Sequence, residues 1–165
     1  VAEKGDRNAI DAISRFLADV HLPVDVWSLA LKTLVALSDN ITVETFTPYL
    51  ECESYHVTVI ALQAMAEFAM KGDEYMVDAV IRCVEDNEGV VRCAAICTLA
   101  AIAEKGDQKV IVAISNQLVD EENFDVITKA MNALVAVAEK GDRNAIDAIS
   151  RCLADPGRGR SDVRV

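Results

Sequence analysis

The sequence predicts an all-α protein built as a stack of antiparallel helix pairs, an α-solenoid. The first observation is internal repetition, because Val1–Asp19 returns as Val137–Asp155 with one change, Phe16 to Cys152. The shift is 136 residues, four times 34, and a period near 34 residues is typical of helix-pair repeats. Two looser copies of the segment are Phe68–Asp86 and Ile102–Asp120. The second observation is that apolar residues recur at helical spacing, whereas no stretch alternates with period two long enough to be a strand.

A Lys-Gly-Asp segment occurs four times, at 4–6, 71–73, 105–107 and 140–142, and predicts where one helix ends and the next begins. Lys in the last helical turn complements the negative end of the helix dipole. Gly takes the left-handed C′ position at low cost, and Asp accepts from free N–H groups as the N-cap of the next helix. We therefore predict a very short turn at each segment, with a B helix before it and an A helix after it.

The repeats supply roughly nine helices in about four and a half pairs. The predicted A helices are Asp6–Ala18, Thr42–Glu51, Asp73–Glu85, Asp107–Val119 and Asp142–Leu153. The predicted B helices are Asp25–Ser38, Tyr55–Lys71, Gly89–Lys105 and Phe124–Lys140. In the third B helix one face collects the apolar positions and Thr98, and we expect it to be buried: Val91, Ala94, Ala95, Thr98, Leu99 and Ile102.

The second repeat and the end of the chain depart from this pattern. The second repeat lacks Lys-Gly-Asp, so Asp39 or Thr42 is expected to cap its A helix, and Pro48 should kink that helix or restart it at Thr47. Residues 1–155 are interpreted as one repeat array, and 156–165 as a weakly ordered tail or the start of a further repeat. Both ends resemble cuts inside a longer array, and such open ends are expected to fray and to favour end-to-end self-association.

Charge and composition narrow the possible partners. The formal net charge is −11, and no cluster of Lys and Arg exists to displace counterions from phosphate, which argues against nucleic acid. The same charge disfavours an anionic membrane surface. No apolar run approaches the ~20 residues that span a bilayer, and no signal peptide is recognised. The acidic surface either favours a basic partner or serves solubility alone.

The five cysteines, Cys52, Cys83, Cys93, Cys97 and Cys152, are odd in number and include no CxxC pair. Free thiols in a reducing compartment explain this better than a disulfide framework does. The sequence therefore predicts an intracellular protein, and we expect the cytoplasm.

With the helix pairs laid out, the third repeat resembles a HEAT repeat of the short type first noted in phycobilin lyases. The resemblance lies in DNEGVVRCAAICTLAAIA, Asp86–Ala103, although Val-Arg itself occurs only at Val91-Arg92 and Val163-Arg164. The other B helices have Trp27, Thr58 or Ile127 near the Arg position, so the Asp–Arg ladder of the family is expected to be incomplete. The resemblance implies a right-handed superhelix with B helices on the inner surface, and protein binding as its role. A bilin lyase-type subunit, an enzyme, is the alternative.

Aspartates recur at the ends of the A helices, at Asp19, Asp86, Asp120 and Asp155. Interpreted structurally, they accept from loop N–H groups of the next B helix. Interpreted functionally, they form a row of divalent-ion ligands, but several oxygens must then converge on one ion. Successive repeats lie about 10 Å apart, the usual distance between packed helices, and this favours the structural interpretation.

The sequence offers no catalytic motif, so we expect no enzyme activity, no cofactor and no metal. The two histidines, His21 and His56, are isolated, and neither is followed by Glu. Cys93 and Cys97 share one helix face and could form half of a soft-metal site, but they are also explained as polarisable gap-fillers.

The expected function is non-catalytic binding of a partner protein segment on the inner face formed by the B helices. A stripe of mostly small, uncharged residues lies opposite the apolar face, and charge depletion of this kind marks a protein interface. The candidate contacts are Ser28, Lys32, Val59, Gln63, Glu67, Cys93, Cys97, Thr128 and Asn132. The wider stripe also includes Val35, Met70, Ala100, Glu104, Val135 and Glu139. Glu67, Glu104 and Glu139 would favour a partner with basic flanks, and a quiet inner surface that only allows close helix packing is the alternative.

Overall fold

A computed structural model describes residues 5–17, 22–38, 40–119 and 122–154, and the described part of the chain is all-α. Within those ranges it has nine helices and no strand. The helices are α1 Arg7–Leu17, α2 Val24–Leu37, α3 Val43–Leu50, α4 Tyr55–Phe68, α5 Glu74–Cys83, α6 Gly89–Ile102, α7 Gln108–Asn116, α8 Phe124–Val137 and α9 Arg143–Ala154. The predicted helix count and order are confirmed, while the segments Val1–Lys4 and 156–165 lie outside the described residues.

Contacts between the helices arrange them in two rows. The B helices α2, α4, α6 and α8 each contact the next in the series, and the A helices α3, α5, α7 and α9 do the same. Each of the first four A helices also contacts the B helix that follows it in sequence. None of the described helices is both long and apolar enough to cross a bilayer.

The A helices begin where the Lys-Gly-Asp segments predict. The side chain of Asp73 accepts hydrogen bonds from the backbone N–H groups of Tyr75 and Met76, and Asp107 does the same one repeat later. Asp6 and Asp142 cap α1 and α9 through the equivalent carboxylate oxygen. The prediction of aspartate N-caps is confirmed for all four segments.

The predicted ends of three of the four B helices are wrong by three residues, whereas α2 ends at Leu37, one residue before its predicted end. Helices α4, α6 and α8 end at Phe68, Ile102 and Val137, and the alanine that follows each of them is extended. The lysine therefore lies outside the last helical turn, and the glycine is not at C′. The four residues ending in Asp form a β-turn instead, closed for example by the Asp142 N–H on the Glu139 carbonyl at 3.1 Å. Glu and Lys are good helix formers, so local propensity extends the helix past the point where packing stops it.

In three of the four turns the glycine links the turn to the end of a B helix. Its φ lies between 80° and 88° at all four positions, as the third residue of a type II turn requires. Its N–H donates to the last carbonyl of the B helix paired with the following A helix: Gly5 to Leu37, Gly72 to Ile102 and Gly106 to Val137, each at 2.7 Å. Each such bond joins the start of an A helix to the end of the B helix that is paired with it.

One continuous apolar core runs through the described residues, between the two rows of helices. The predicted face of α6 is confirmed, because Val91, Ala95, Leu99 and Ile102 are buried and Ala94 is half-buried. Thr98 is also buried on this face, and its hydroxyl donates to the carbonyls of Leu62 and Ala94, both at 2.9 Å. A buried hydroxyl thus connects α6 to α4 without leaving a polar group unsatisfied.

In the second repeat the structure shows which residue caps α3 and whether Pro48 interrupts that helix. Thr42 is the N-cap of α3, and its N–H donates to the hydroxyl of Thr45 at 3.4 Å, whereas Asp39 lies outside the described residues. Pro48 lies inside α3, which runs unbroken to Leu50, so the expected restart at Thr47 is wrong. The helix has only eight residues, and few intrahelical bonds are available for the proline to remove.

The turns provide a prediction about glycine. Replacing Gly141 by Ala should cost about 1 kcal/mol, because an L side chain is strained at φ 88°, although a Cβ there would meet nothing within 4 Å. Replacing Gly72 by Ala should cost more, since its Cβ would lie 2.9 Å from the Glu104 side chain. Urea unfolding measures both, and Gly72→Ala/Glu104→Ala controls for the contact by leaving only the strain. A stabilised Gly141→Ala variant would contradict the turn geometry.

The cap of α9 provides a pH prediction. The pKa of Asp142 is lowered from 3.8, first by the hydrogen bond from the Ala145 N–H and then by the side chain of Gln108. A group whose pKa is lowered on folding contributes stability above its unfolded value, and that stability disappears as pH falls through the folded value. Relative to Asp142→Asn, the wild type should therefore lose stability below about pH 4, as measured by thermal unfolding across pH. An unchanged difference between pH 6 and pH 2 would contradict this.

Candidate functional site

The candidate site is the surface of the B helices turned away from the core, which we call the B-face. It is defined by the nine predicted contacts: Ser28, Lys32, Val59, Gln63, Glu67, Cys93, Cys97, Thr128 and Asn132. All nine are accessible, five of them exposed and four half-buried. Because α2, α4, α6 and α8 contact one another in series, the structure places these residues along one row of helices.

Lys32 on α2 and Glu67 on α4 form an ion pair across neighbouring B helices. The Lys32 Nζ lies 2.7 Å from Glu67 Oε1, and the two side chains are 41% and 50% exposed. The ammonium of Lys32 carries three donor hydrogens, so this ion pair leaves donors for a partner, and the role of Lys32 as a contact stays a prediction. The pair also leaves this end of the B-face without net charge.

Gln63 on α4 and Asn132 on α8 are the polar groups best placed to contact a partner. Both side chains are exposed, and within the described residues neither amide forms a hydrogen bond. A primary amide carries two donor hydrogens and an acceptor oxygen, so each can pair with an extended backbone or with a polar side chain. Thr128, by contrast, uses its hydroxyl on the Phe124 carbonyl of its own helix at 2.8 Å.

Cys93 and Cys97 lie about one turn apart on α6, and Cys93 is beside the first turns of α8. Burial raises the pKa of the half-buried Cys93 thiol, and the charge of Asp125 raises it further. The thiol of Cys93 is therefore held in its neutral form, which is a poor metal ligand and a weak nucleophile. Among the described residues no group of three or more His, Cys, Asp or Glu side chains is placed to hold a metal ion.

One residue of the expected stripe lies in the core instead, as does the single tryptophan. Val35 is 1% exposed, so its place in the stripe is wrong, because α2 turns Val35 inward together with Leu31 and Leu34. Trp27 is 2% exposed and meets the Tyr49 ring edge-on at 5.1 Å. The indole is thus a packing residue between α2 and α3. The bilin-lyase alternative stays a prediction.

Glu104 and Glu139 lie on a different surface from the one expected. Both are in the β-turns after the B helices, and each side chain covers the glycine of the preceding turn, Gly72 or Gly106. Sequence reasoning missed the groove of about 460 Å³ between these turns and the first residues of α5 and α7. The even spacing of the Lys-Gly-Asp segments in the sequence is the signal from which this groove could have been predicted.

Residues at the starts of the A helices tie the turn edge together from repeat to repeat. Gln108 donates to the Asp142 carboxylate at 2.7 Å and accepts from Asn144 at 3.0 Å. Lys109 lies 3.2 Å from Asp78 in an exposed ion pair. These bonds pair several polar groups of the turn edge, by which we mean the Lys-Gly-Asp turns and the first residues of the A helices.

The structural interpretation of the aspartate row is confirmed at Asp86. Its carboxylate accepts from the Glu88 N–H at 2.8 Å, just before α6 begins. The Arg92 guanidinium donates to the backbone carbonyls of Asp86 and Asn87 at 2.8 and 3.0 Å, which stabilises the same loop. The other three aspartates, Asp19, Asp120 and Asp155, lie outside the described residues, as does His21. His56 stacks on Tyr55 with ring centroids 3.9 Å apart.

Comparison of the sequence with models of known protein families and with curated proteins finds no match.

The ion pair on the B-face provides a prediction. In a double-mutant cycle of Lys32→Ala and Glu67→Ala, the coupling free energy should stay below about 1 kcal/mol, because both side chains are substantially exposed. Urea unfolding at low ionic strength measures it, and added salt should reduce it. The exposed pair Lys109–Asp78 offers a matched cycle on the A helices. A coupling of several kcal/mol would contradict an exposed, screened pair.

Proposed function

We propose that the chain is a non-catalytic scaffold in which the B-face binds a segment of another protein. The proposal includes a HEAT-type arrangement, with the two rows of helices forming a right-handed superhelix and the B helices on its inner side. Two observations support it. The B helices α2, α4, α6 and α8 pack on one another in series, and so do the A helices α3, α5, α7 and α9. Residues Asp86–Ala103 carry the resemblance to a HEAT repeat. A reducing compartment is proposed with it, since all five cysteines are free.

The observation that carries the proposal is an accessible surface with little charge on a strongly acidic chain. The formal net charge is −11, yet among the nine residues of the B-face the charged ones are Lys32 and Glu67, which form an ion pair, while the exposed Asp125 and Lys129 of α8 lie beside Cys93. Depletion of charge at the centre of a patch is what distinguishes protein interfaces from the remaining surface. Desolvating this face on binding would therefore cost less than desolvating the turn edge.

The chemistry of the B-face suggests the kind of segment it would hold. The amides of Gln63 and Asn132 would pair with the polar groups of a peptide, and accessible apolar groups such as Val59 would contact its side chains. Val135, which is 77% exposed on α8, extends this apolar surface. The carboxylates of Glu104 and Glu139 at the turn edge would attract basic residues flanking the bound segment.

The test is affinity capture from the source cell, followed by binding measurements on the purified partner. Gln63→Arg/Asn132→Arg should weaken capture at least tenfold, since two bulky cations would be placed on the uncharged surface. Ser14→Arg/Asn116→Arg is the matched control, because it adds the same charge at exposed positions of α1 and α7. Equal recovery with wild type and the B-face variant, or equal loss with the control, would overturn the assignment of the B-face.

A further inference from the structure

Helix α3 is held in the row of A helices by fewer buried side chains than α5 and α7. Every residue of these three helices is described, and α3 buries one side chain, Phe46, whereas α5 buries five and α7 buries four. Val43, Tyr49 and Leu50 of α3 pack against the core but remain partly exposed. Because segments with few buried apolar contacts open at the lowest free energy, α3 is the one of the three that separates most easily from the core.

The backbone of α3 is also less well bonded than that of α5. Pro48 has no N–H, so the Glu44 carbonyl one turn earlier cannot receive the usual intrahelical bond. The capping bond from the Thr42 N–H to the Thr45 hydroxyl is 3.4 Å long, whereas the Asp73 carboxylate accepts two N–H groups of α5 at 3.0 and 3.1 Å. Both the start and the middle of α3 are therefore weaker than the same parts of α5.

The backbone bond that anchors α5 and α7 has no counterpart at α3 in the described part of the chain. Gly72 and Gly106, which precede the N-caps of α5 and α7, each donate to the last carbonyl of the paired B helix at 2.7 Å. Ile41 takes the place of the glycine before Thr42, and its N–H makes no such bond to Phe68, the last residue of α4. Side-chain packing therefore holds α3 where α5 and α7 also have a backbone anchor.

Tyr49 of α3 packs on a side chain that carries an unpaired polar group. The Trp27 ring on α2 is 2% exposed and meets the Tyr49 ring edge-on at 5.1 Å. The indole N–H of Trp27 is buried and has no acceptor among the described residues. A buried donor without a partner disfavours the packed state, and this one would gain a hydrogen bond to water if α3 moved away. Opening of α3 would therefore relieve an unfavourable feature of the closed arrangement.

We propose that α3 is a lid on the core, which opens locally and uncovers Trp27 while the B helices stay packed. The row of B helices does not need α3, because α2 packs directly on α4 and α4 on α6. The ion pair between Lys32 and Glu67, at 2.7 Å, also links α2 to α4 independently of α3. The chain thereby has a second state in which a large aromatic side chain, buried in the closed state, is accessible. This inference does not depend on the proposed function of the B-face.

The test is hydrogen exchange of the full chain, measured by NMR at several urea concentrations below the unfolding transition. Trp27 is the one tryptophan of the chain, so its indole N–H gives a single resonance that reports on this position. Protection factors of the α3 amides and of this indole should match, should be at least about tenfold lower than those of α5 and α7, and should not change with urea. Equal protection of the three helices, or a Trp27 indole that exchanges only with global unfolding, would overturn the proposal.

Two variants separate a lid from general instability of the chain. In Pro48→Ala the new N–H can donate to the Glu44 carbonyl, so protection of α3 and of the Trp27 indole should rise together, by at least about tenfold. Asn132→Ala is the matched control, because it raises helix propensity at an exposed position of α8, which stays folded in both states. It should leave α3 and Trp27 as in wild type. An unchanged α3 in Pro48→Ala, a rise at α3 without one at Trp27, or a rise at both in Asn132→Ala would each contradict the lid.

Discussion

The arrangement of the helices depends on a backbone constraint, the glycine at positive φ in each Lys-Gly-Asp turn. This conformation directs the glycine N–H to the carbonyl that ends the paired B helix, with a distance of 2.7 Å at Gly5, Gly72 and Gly106. A side chain at these positions would strain the turn and, at Gly72, would also collide with Glu104. The turn also places the aspartate that follows at the start of the A helix, where its side chain caps the helix.

This constraint separates two surfaces with different chemistry. The turns collect carboxylates, lysines and amides at one edge, where Gln108, Asp142 and Asn144 bond to one another. The B helices meet the turns only at their ends, and among the nine residues of the B-face the charged ones, Lys32 and Glu67, form an ion pair.

Helices α1 and α9 have nearly the same sequence but pack against different helices, α1 on α2 and α9 on α7. Leu17 and Leu153 show the size of this effect, because the same residue in the same sequence context is 2% exposed at one end and 72% at the other.

The sequence by itself determined the helices, their order, the aspartate caps and the sign of φ at glycine, because these depend on local propensity and on groups a few residues apart. Only the tertiary structure decided where the B helices stop, since the extended Ala138 follows from packing and from the turn, against the preference of Glu139 and Lys140 for helix. It also placed Val35 in the core and paired Lys32 with a residue on the next helix. Burial and pairing depend on neighbours that are distant in sequence, and identical segments therefore acquire different surroundings.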